Sequence, residues 1–397
     1  MLLARITVET MRIRVSAGLV ERLIKQKEKQ RALLESRLDE RELRQALEDH
    51  HARREPIPCG MTIHTGIGCN YGCLYCYVPD MGFPLKPRPY PLNGLQLAYS
   101  LLSNPYIVPS VMGTMLAFGS VTEPFLPETV EKTLEYLEAV KSWLGSPTQL
   151  STKAYIDKEL AKSIKTKAEN RLSVLVTIIT IRHARILEPG APEPSKRFES
   201  IENLSFYGIH TTLFLRPIIP GITEKNLDII LEKAKASGAQ GVVTGSLRIT
   251  IGILRRLKAA GIDVAELLLR APRHPRGRDQ VPIRTDDIKK IVWVKAREYG
   301  LKVYPSACSA NMDSHGLSCW ACKWGPCGDR RGLPEVEPRD LVEAAELLTG
   351  IRPLFANIEH NTIMLGYPKG RLTERSKKII LHWLSALTKR SIRIKYA

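Results

Sequence analysis

The sequence lacks an uncharged apolar run long enough to cross a membrane, and its first residues lack the apolar stretch of a secretory signal. Met1–Val8 instead carries a charge at Arg5. We therefore expect a cytoplasmic protein, in a compartment that keeps thiols reduced. The contents of 44% hydrophobic and 25% charged residues are ordinary for a globular protein, which excludes a disordered, collagen-like or coiled-coil chain.

Acidic residues are scarce relative to basic ones. The chain has 41 Asp and Glu against 59 Lys and Arg, a net charge of +18, which favours a nucleic acid, RNA or DNA, as partner. The densest basic segment spans residues 270–278, with Arg284 beyond it, and its Pro and Gly residues preclude a regular helix. Arg273, Arg276 and Arg278 are therefore tentative substrate contacts that can follow a phosphate backbone. A basic surface without a nucleic-acid partner is the alternative.

The pattern of the chain divides it into three parts. Residues 1–55 predict a charged helical extension, with one long helix over Val20–His51 that ends before Pro56. Residues 56–305 alternate six or more short apolar strands with helices, which is typical of an α/β barrel, open or closed, or of a doubly wound sheet. Residues 306–397 predict a small α/β tail that begins with a group of cysteines.

The first cysteine group has the spacing C-x3-C-x2-C at Cys69, Cys73 and Cys76. Three thiolates on one short loop can bind three irons of a [4Fe–4S] cluster and leave the fourth iron open for an outside ligand. Zinc is the alternative, with Cys59 or His64 as fourth ligand, and so are cysteines without a metal. Because the loop follows the first predicted strand of the barrel, we expect it at the C-terminal mouth, where α/β barrels carry their chemistry.

The cysteine loop and five later segments resemble the radical S-adenosylmethionine (SAM) superfamily, and within it the spore photoproduct lyase-related family. The resemblance covers roughly residues 61–245. The segments occur in the order GSVTEPFLP (119–127), LSTK (150–153), TIIT (177–180), EPGAP (188–192) with Arg197, and RPIIPG (216–221). The resemblance implies an α/β fold, a partial (β/α)6 radical SAM barrel, with a helical N-terminal extension and a small C-terminal metal-binding region.

The resemblance also implies a chemistry. SAM binds the open iron of the [4Fe–4S] cluster, an electron donor supplies the electron, and the resulting 5′-deoxyadenosyl radical abstracts hydrogen from a substrate. Cys69, Cys73 and Cys76 are then the cluster ligands and the catalytic group. The same resemblance implies roles at SAM for further residues. Tyr75 would lie near the adenine, Glu123 at the ammonium group and Lys153 at the carboxylate. Thr177 and Thr180 would contact SAM, and Glu188 and Arg197 would lie at the mouth of the barrel.

Each of these positions also has a plain structural reading. Tyr75 can be a packed core aromatic, Glu123 a charge near a helix N-terminus, and Lys153 a surface lysine. Glu188 and Arg197 can form a local ion pair. One departure from the family also matters: spore photoproduct lyases carry a hydrogen-donating cysteine after the second strand, and residues 119–122 contain none. Thymine-dimer repair is therefore in doubt.

The second cysteine group comprises Cys308, Cys319, Cys322 and Cys327. Four thiolates can hold a second [4Fe–4S] cluster or a zinc ion, with His315 able to replace one of them. Simple spore photoproduct lyases lack this segment. We expect Cys59 to be a buried free thiol. Two further functions stay open: a radical SAM enzyme that modifies a protein or small molecule, and a non-catalytic, zinc-stabilised nucleic-acid-binding protein.

Overall fold

The computed structural model describes residues 13–57 and 60–396, and a seven-stranded sheet forms the centre of this part of the chain. The strands are β1 Arg14–Val15, β2 Gly60–Ile63, β3 Gly66–Ile67, β4 Arg88–Pro89, β5 Met115–Phe118, β6 Thr148–Thr152, β7 Ser173–Thr177, β8 His210–Ile218, β9 Gly241–Ser246, β10 Arg248–Ile249, β11 Val281–Pro282, β12 Lys302–Tyr304, β13 Glu335–Val336, β14 Phe355–Glu359, β15 Thr362–Tyr367 and β16 Ser391–Tyr396.

Helices connect and cover the strands. They are α1 Ala17–Glu35, α2 Glu40–Glu48, α3 Gly94–Ser103, α4 Val130–Trp143, α5 Lys158–Lys167, α6 Ala184–Leu187, α7 Pro194–Phe206, α8 Leu227–Ala236, α9 Ile251–Ala259, α10 Ala265–Leu269, α11 Asp286–Glu298, α12 Ala307–Ser314, α13 Pro338–Thr349 and α14 Glu374–Thr388. None of the described helices is both long and apolar enough to cross a membrane.

The central sheet has the order β12-β9-β8-β7-β6-β5-β2, and every neighbouring pair is parallel. Parallel neighbours need crossover connections, and the helices between the strands supply them. Within the described residues β2 and β12 do not pair, so the barrel is open. The α/β fold predicted from the sequence is confirmed, with one strand more than the six of the expected barrel.

The sheet interior explains why the strands form where they do. All five residues of β7 are buried, because helices cover the outer face of the sheet and α12 packs on its inner face. The predicted strand over Leu172–Ile181 is shorter in the structure, ending at Thr177. The predicted helix over Leu247–Ala260 begins only at Ile251, because β10 takes residues 248–249 and pairs them with β11.

The N-terminal extension differs from its prediction. The expected single helix over Val20–His51 is two helices, α1 and α2, separated by residues 36–39. Asp39 starts α2 with a reciprocal cap: its carboxylate accepts from the Glu42 N–H at 2.8 Å, and the Glu42 carboxylate accepts from the Asp39 N–H at 3.1 Å.

The N-terminal helix and the C-terminal part of the chain share one apolar cluster. Val20 and Leu23 of α1 pack with Leu341 of α13 and Leu384 of α14. The short strand β1 also pairs in parallel with β13. The C-terminal helices cover a three-stranded sheet of order β14-β15-β16.

Candidate metal and cofactor site

The three cysteines of the first group lie on the loop after β3 and line one cavity of about 380 Å³. The rest of its wall comes mainly from the C-terminal ends of the parallel strands, at residues 117–123, 151–153, 175–177, 214–217 and 246–248. The loop is tightly folded: Gly68 has a φ of +87°, and a Cβ there would meet the Pro84 carbonyl oxygen at 2.4 Å. The cysteines therefore lie at the mouth of the open barrel.

The three cysteines are the thiols that line this cavity, and no histidine is among the lining residues. A structural zinc site takes four ligands. Three thiolates on one loop suit a [4Fe–4S] cluster, in which a different iron binds each thiolate and the fourth iron stays open.

Burial favours the protonated form of two thiols on this loop, those of Cys69 and Cys73. Burial raises the pKa of the Cys69 thiol, and it raises the pKa of Cys73 to about 12, although Lys153 acts in the opposite direction. Metal binding needs deprotonated thiolates, so iron must displace these protons. The three cysteines therefore fit the cluster that the sequence implies.

A side chain far along the sequence fixes the cysteine loop. Arg256 of α9 donates from Nε to the Leu74 carbonyl at 3.1 Å and from Nη2 to the Cys76 carbonyl at 2.6 Å. Its two terminal nitrogens also donate to the two carboxylate oxygens of Asp80, at 2.9 and 3.0 Å, and the Thr250 hydroxyl donates to the same carboxylate. No pattern in the sequence points to this contact, because 180 residues separate Arg256 from Cys76.

Glu123 and Lys153 lie on the cavity wall, as the motifs predict. The Glu123 carboxylate accepts from the Thr152 hydroxyl at 2.5 Å and from the Lys153 backbone N–H at 2.8 Å. Burial raises the pKa of Glu123, although both neighbours favour its ionised form. Helix α4 begins only at Val130, so Glu123 is too far from its first turn to be a helix-dipole charge.

Lys153 is a half-buried cation on the cavity wall rather than an exposed surface lysine. Its Nζ lies 5.6 Å from the centroid of the Tyr75 ring. Burial opposes its charge, but Cys73 and Glu188 outweigh this effect and raise the pKa of Lys153. The ammonium is therefore held in its charged form at the edge of the cavity.

A buried ionic network lies behind Tyr75. The Tyr75 hydroxyl donates to Glu188, and Arg197 Nη1 lies 2.5 Å from the other oxygen of that carboxylate. The same Nη1 donates to the Thr177 carbonyl at 3.1 Å, and Nε donates to the Pro192 carbonyl at 2.7 Å. The side chains of Glu188 and Arg197 are both 0% exposed, so this is a core ion pair and not a surface one.

The residues predicted to contact SAM form two groups, those that line the cavity and those that do not. Tyr75, Glu123, Lys153 and Thr177 line the cavity, whereas Arg197 does not and reaches it only through its contacts. Thr180 does not line the cavity either; its hydroxyl accepts from the His183 N–H at 3.3 Å.

Two arginines on the cavity wall add positive charge near its opening. Arg216 of β8 and Arg248 of β10 both line the cavity, and Arg216 lies 5.8 Å from the centroid of the Phe214 ring. The sequence indicated Arg216 only as part of the motif at the mouth. Arg248 was not predicted, because its place on the wall depends on the pairing of β10 with β11.

The second cysteine group also converges. Cys308 of α12 and the three later cysteines line a small cavity together with Lys389. Cys319 and Cys327 face each other across a two-residue ladder, with N–H to carbonyl distances of 2.8 and 2.9 Å. Burial raises the pKa of the Cys319 thiol, and raises that of Cys327 to about 11.

His315, the alternative ligand considered for this second group, lies elsewhere. His315 does not line the cysteine cavity; its Nδ1 lies 2.8 Å from the Asn311 carbonyl oxygen, and its Nε2 lies 3.3 Å from Glu169. The expected replacement of a cysteine by His315 is therefore wrong for this structure. Cys59, predicted to be a buried free thiol, lies outside the described residues.

His64 is likewise not a partner of the first cysteine group. It does not line the large cavity, and its ring lies instead against His50 and His51, with centroids 4.9 and 5.7 Å away. A zinc site made of the first three cysteines and His64 is therefore not formed.

The basic segment after α10 forms an irregular loop, as its Pro and Gly residues predict. Arg270 pairs with Glu266 and Asp287, and Arg273 Nη1 lies 2.5 Å from Asp279. The remaining arginines, Arg276, Arg278 and Arg284, are exposed. None of the three forms an ion pair with an acidic residue in the described part of the chain.

Comparison with known proteins agrees with the cysteine loop and the barrel. The model of the radical SAM superfamily matches residues 63–234. A spore photoproduct lyase variant is similar in fold, with a TM-score of 0.51 and 16% identity over 63% of this chain and 78% of that one. A second variant, with bound AdoMet and dinucleoside spore photoproduct, has a TM-score of 0.50 and 15% identity over 64% and 79% of the two chains.

The curated relatives are uncharacterized proteins and match over a smaller share of the chain. An uncharacterized protein of Acidianus two-tailed virus is 24% identical over 177 residues, and this match covers 41% of the present chain and 56% of the viral protein. An uncharacterized protein of Mycobacterium tuberculosis strain H37Rv is 22% identical over 206 residues, covering 49% and 60%. The chain thus spans less than two thirds of the length of either relative.

The parallel α/β barrel, the cysteine loop at its mouth and the family match define a radical SAM domain. The resemblance inferred from the sequence motifs is therefore confirmed for the central part of this chain, and its fold is similar to that of spore photoproduct lyase. The superfamily is one of enzymes that use a [4Fe–4S] cluster and SAM. The cavity is lined by three thiols, the carboxylate of Glu123 and the ammonium of Lys153.

Proposed function

We propose that this chain is a radical SAM enzyme that acts on a nucleic acid. The observation that carries the enzymatic part is one cavity lined by Cys69, Cys73 and Cys76 together with the buried Glu123 carboxylate and the half-buried Lys153 ammonium. When bound, the cluster and SAM supply a 5′-deoxyadenosyl radical that abstracts hydrogen from a substrate. In this proposal residues 1–55 are an extension, 56–305 the catalytic barrel, and 306–397 a region with a second metal site.

Two charged side chains of the cavity wall match the amino and carboxylate groups of SAM. Glu123 offers carboxylate oxygens to an ammonium, and Lys153 offers an ammonium to a carboxylate. Thr177 lies at the end of β7 on the same wall. Because Thr152 and the Lys153 N–H hold the Glu123 carboxylate, it is oriented before a ligand arrives.

Tyr75 and Arg197 have positioning roles in this proposal. The hydroxyl of Tyr75 is held by Glu188, so its ring is fixed against the cavity and can pack on the adenine. Arg197 binds both Glu188 and the Thr177 carbonyl. It therefore links the tyrosine of the cysteine loop to the strand that carries the threonine.

The charge around the cavity favours an anionic substrate. Lys153, Arg216 and Arg248 line it, against one carboxylate, that of Glu123. A nucleic acid has the phosphates to match these cations, and the net charge of +18 has the sign that attracts it. The loop arginines at 276, 278 and 284 have no acidic partner among the described residues and would extend this basic surface. Arg273 is a weaker candidate because Asp279 already pairs with it.

The absence of a cysteine at residues 119–122 argues against a thymine-dimer repair reaction. Ser120 and Val121 line the cavity there, and its cysteines are those of the cluster loop. We therefore propose modification or repair of a nucleic acid by hydrogen abstraction, without assigning that particular lesion.

The second cysteine group is proposed to hold a second [4Fe–4S] cluster rather than zinc. Its four thiols line one cavity, and four thiolates are a ligand set of a [4Fe–4S] cluster. Ala307, which lines the large cavity, directly precedes Cys308, which lines the small one. A cluster at this position would lie beside the catalytic cavity.

Reductive cleavage of SAM tests the enzymatic proposal. The anaerobically reconstituted protein is mixed with SAM and a reductant, and 5′-deoxyadenosine is measured. We expect Cys73→Ala to abolish its formation, because the loss of one thiolate disrupts the cluster, and to keep the fold. Asn70→Ala is the matched control, since Asn70 is exposed on the same loop and lies outside the cavity wall. Absence of 5′-deoxyadenosine from a fully iron-loaded wild type would favour the non-catalytic alternative.

Salt-dependent binding tests the substrate class. Binding of mixed tRNA and of duplex DNA is measured over a salt series for wild type and for the Arg273→Ala, Arg276→Ala, Arg278→Ala triple variant. Each lost phosphate contact should flatten the logarithmic salt slope by about one. The control variant removes the same charge from exposed sites on α1 and α2: Arg22, Arg31 and Arg41. If wild type binds neither nucleic acid at low salt, a protein or small-molecule substrate replaces this proposal.

A further inference from the structure

A group of three histidines, an aspartate and a tyrosine lies apart from the large cavity. Asp49, His50 and His51 stand between α2 and β2, His64 directly follows β2, and Tyr90 directly follows β4. None of them lines the large cavity. One potential metal-ligand atom from each of Asp49, His50 and His51 lies within 4.8 Å of the other two. This histidine cluster is not used by the proposed radical chemistry.

The hydrogen bonds of the histidine cluster fix its protons. The Tyr90 hydroxyl lies 2.6 Å from Asp49 Oδ2 and donates to it. The Tyr90 oxygen can then accept from His50 Nδ1, which lies 3.0 Å away. His51 Nδ1 lies 2.7 Å from Asp49 Oδ1 and donates to that carboxylate. Both imidazoles therefore carry their proton on Nδ1, and both Nε2 atoms keep a lone pair.

These two lone pairs have no partner. The Nε2 atoms of His50 and His51 are buried and make no hydrogen bond, and the His51 side chain is 0% exposed. Burying a polar atom without a partner destabilises the folded state. A stack of these rings without a ligand would bury two unpartnered nitrogen atoms, Nε2 of His50 and Nε2 of His51.

The rings stand close enough to share one ligand. The centroids of His50 and His51 are 4.0 Å apart, and that of His64 is 4.9 Å from His50 and 5.7 Å from His51. Since Nδ1 of both His50 and His51 faces the Asp49–Tyr90 pair, their Nε2 atoms lie on the side of the rings away from it. The ring of His64 packs against both, but only Asp49, His50 and His51 have potential ligand atoms within 4.8 Å of one another.

We propose that His50 and His51 bind a divalent transition-metal ion through their unpartnered Nε2 atoms, with Asp49 orienting the ring of His51. Neutral imidazole suits zinc, iron, cobalt and nickel ions. A carboxylate that accepts the Nδ1–H of a ligating histidine is a common outer partner, fixing the tautomer and raising the basicity of the other nitrogen. This site is independent of the proposed radical chemistry.

The position of the site assigns it a structural role. His64 directly follows β2, five residues before Cys69. His50 and His51 belong to the segment that ends the N-terminal extension, and their rings lie against that of His64. A metal bound by His50 and His51 would stiffen this segment where it packs on the start of the barrel.

Zinc binding to the reconstituted full-length protein tests the proposal. Zn²⁺ is titrated calorimetrically after the iron–sulfur sites are filled. We expect the wild type to bind one zinc that His51→Ala and His50→Gln fail to bind. Asp49→Asn should weaken this binding about 10–100-fold, because it removes the orienting carboxylate and keeps the ligands. His274→Ala, which changes an exposed histidine elsewhere, should bind like the wild type.

A second measurement identifies the ligands and keeps the test valid if one variant fails to fold. Co²⁺ replaces Zn²⁺, and its electron paramagnetic resonance is recorded with the clusters oxidised and silent. Nitrogen coupling to the cobalt, lost in His50→Gln, is the expected result. The proposal is overturned if wild type binds no zinc beyond its cysteine sites. It is equally overturned if the folded His50 and His51 variants retain the wild-type zinc stoichiometry and affinity.

Discussion

Replacement of Arg256 should disable the cysteine loop without touching any cluster ligand. Its guanidinium donates to the Leu74 and Cys76 carbonyls and pairs with Asp80. Removing it leaves two loop carbonyls without these donors and a carboxylate with only the Thr250 hydroxyl. The loop then loses its main attachment to α9.

The size of the effect follows from these bonds. A hydrogen bond that involves a charged group contributes about 1.5–3 kcal/mol. Arg256 makes two to the loop, and because its side chain is 29% exposed water recovers part of the loss. We expect Arg256→Ala to lower the free energy of unfolding by about 2–4 kcal/mol. A misplaced cluster should also slow SAM cleavage at least about tenfold, or about 1.4 kcal/mol in barrier height.

Three measurements follow the effect: iron per chain after anaerobic reconstitution, the paramagnetic resonance of the reduced cluster with and without SAM, and the rate of 5′-deoxyadenosine formation. Arg256→Lys keeps one charge for Asp80 but cannot span both carbonyls, so it should fall between wild type and Arg256→Ala. Arg255→Ala is the matched control, because Arg255 is the adjacent, exposed residue of the same helix. Wild-type resonance, rate and unfolding midpoint in Arg256→Ala would refute the positioning role.

Three further predictions concern the buried charges and the second cysteine group. Arg197→Met should lower the free energy of unfolding by about 3–5 kcal/mol, because it leaves the carboxylate of Glu188 buried without its cation. In denaturant titrations the double variant Arg197→Met, Glu188→Gln should regain part of this free energy. No recovery in the double variant would contradict the pairing. Glu123→Gln should raise the free energy of unfolding more at pH 8 than at pH 4, and it should abolish SAM cleavage. An equal change in the free energy of unfolding at both pH values would contradict the raised pKa of Glu123. Elemental analysis of the reconstituted chain should find about eight irons, and four irons with one zinc lost in Cys319→Ser would instead assign zinc to the second group.

The sign of the Glu123 prediction follows from linkage. Burial raises the pKa of this carboxyl in the folded state, so the unfolded chain ionises first as the pH rises. Above the ordinary carboxyl pKa the folded state therefore loses stability, and this loss is complete once the pH exceeds the raised pKa. Glutamine removes the penalty and keeps an oxygen that can accept from Thr152. The wild type would then retain the ionised Glu123 carboxylate, which destabilises the folded state, because this charge binds the ammonium group of SAM.

Local patterns predicted the parts of the fold that depend on neighbouring residues. Alternating apolar strands and helices fixed the α/β class, and the cysteine spacing with the motif at 119–127 located the cavity wall. Two helix starts were also visible in the sequence: Asp39 with Glu42 and Asn93 with Gln96 are reciprocal caps. The cap at Asp39 marks the start of α2 and so divides the predicted N-terminal helix. The cap at Asn93 marks the start of α3, a helix that the sequence analysis did not predict.

Contacts between distant segments could not be predicted in the same way. The nine-residue spacing of Glu188 and Arg197 indicated an ion pair, but its complete burial depends on how α7 packs against β7. Arg248 reaches the cavity only because β10 pairs with β11. Such placements depend on chain topology, and periodicity carries no information about it.

The segment between β9 and α11 connects the basic loop to the cysteine loop. One apolar cluster contains Tyr75 from the cysteine loop together with Leu247, Val281 and Ile283 from this segment. Arg256 adds polar bonds across the same contact. Because packed apolar clusters transmit displacement instead of absorbing it, phosphates bound at the basic loop would act on the position of the cysteine loop. Nucleic acid should therefore change the resonance of the reduced cluster in wild type more than in Arg256→Ala, and an identical change in both would show that the two loops are not coupled through Arg256.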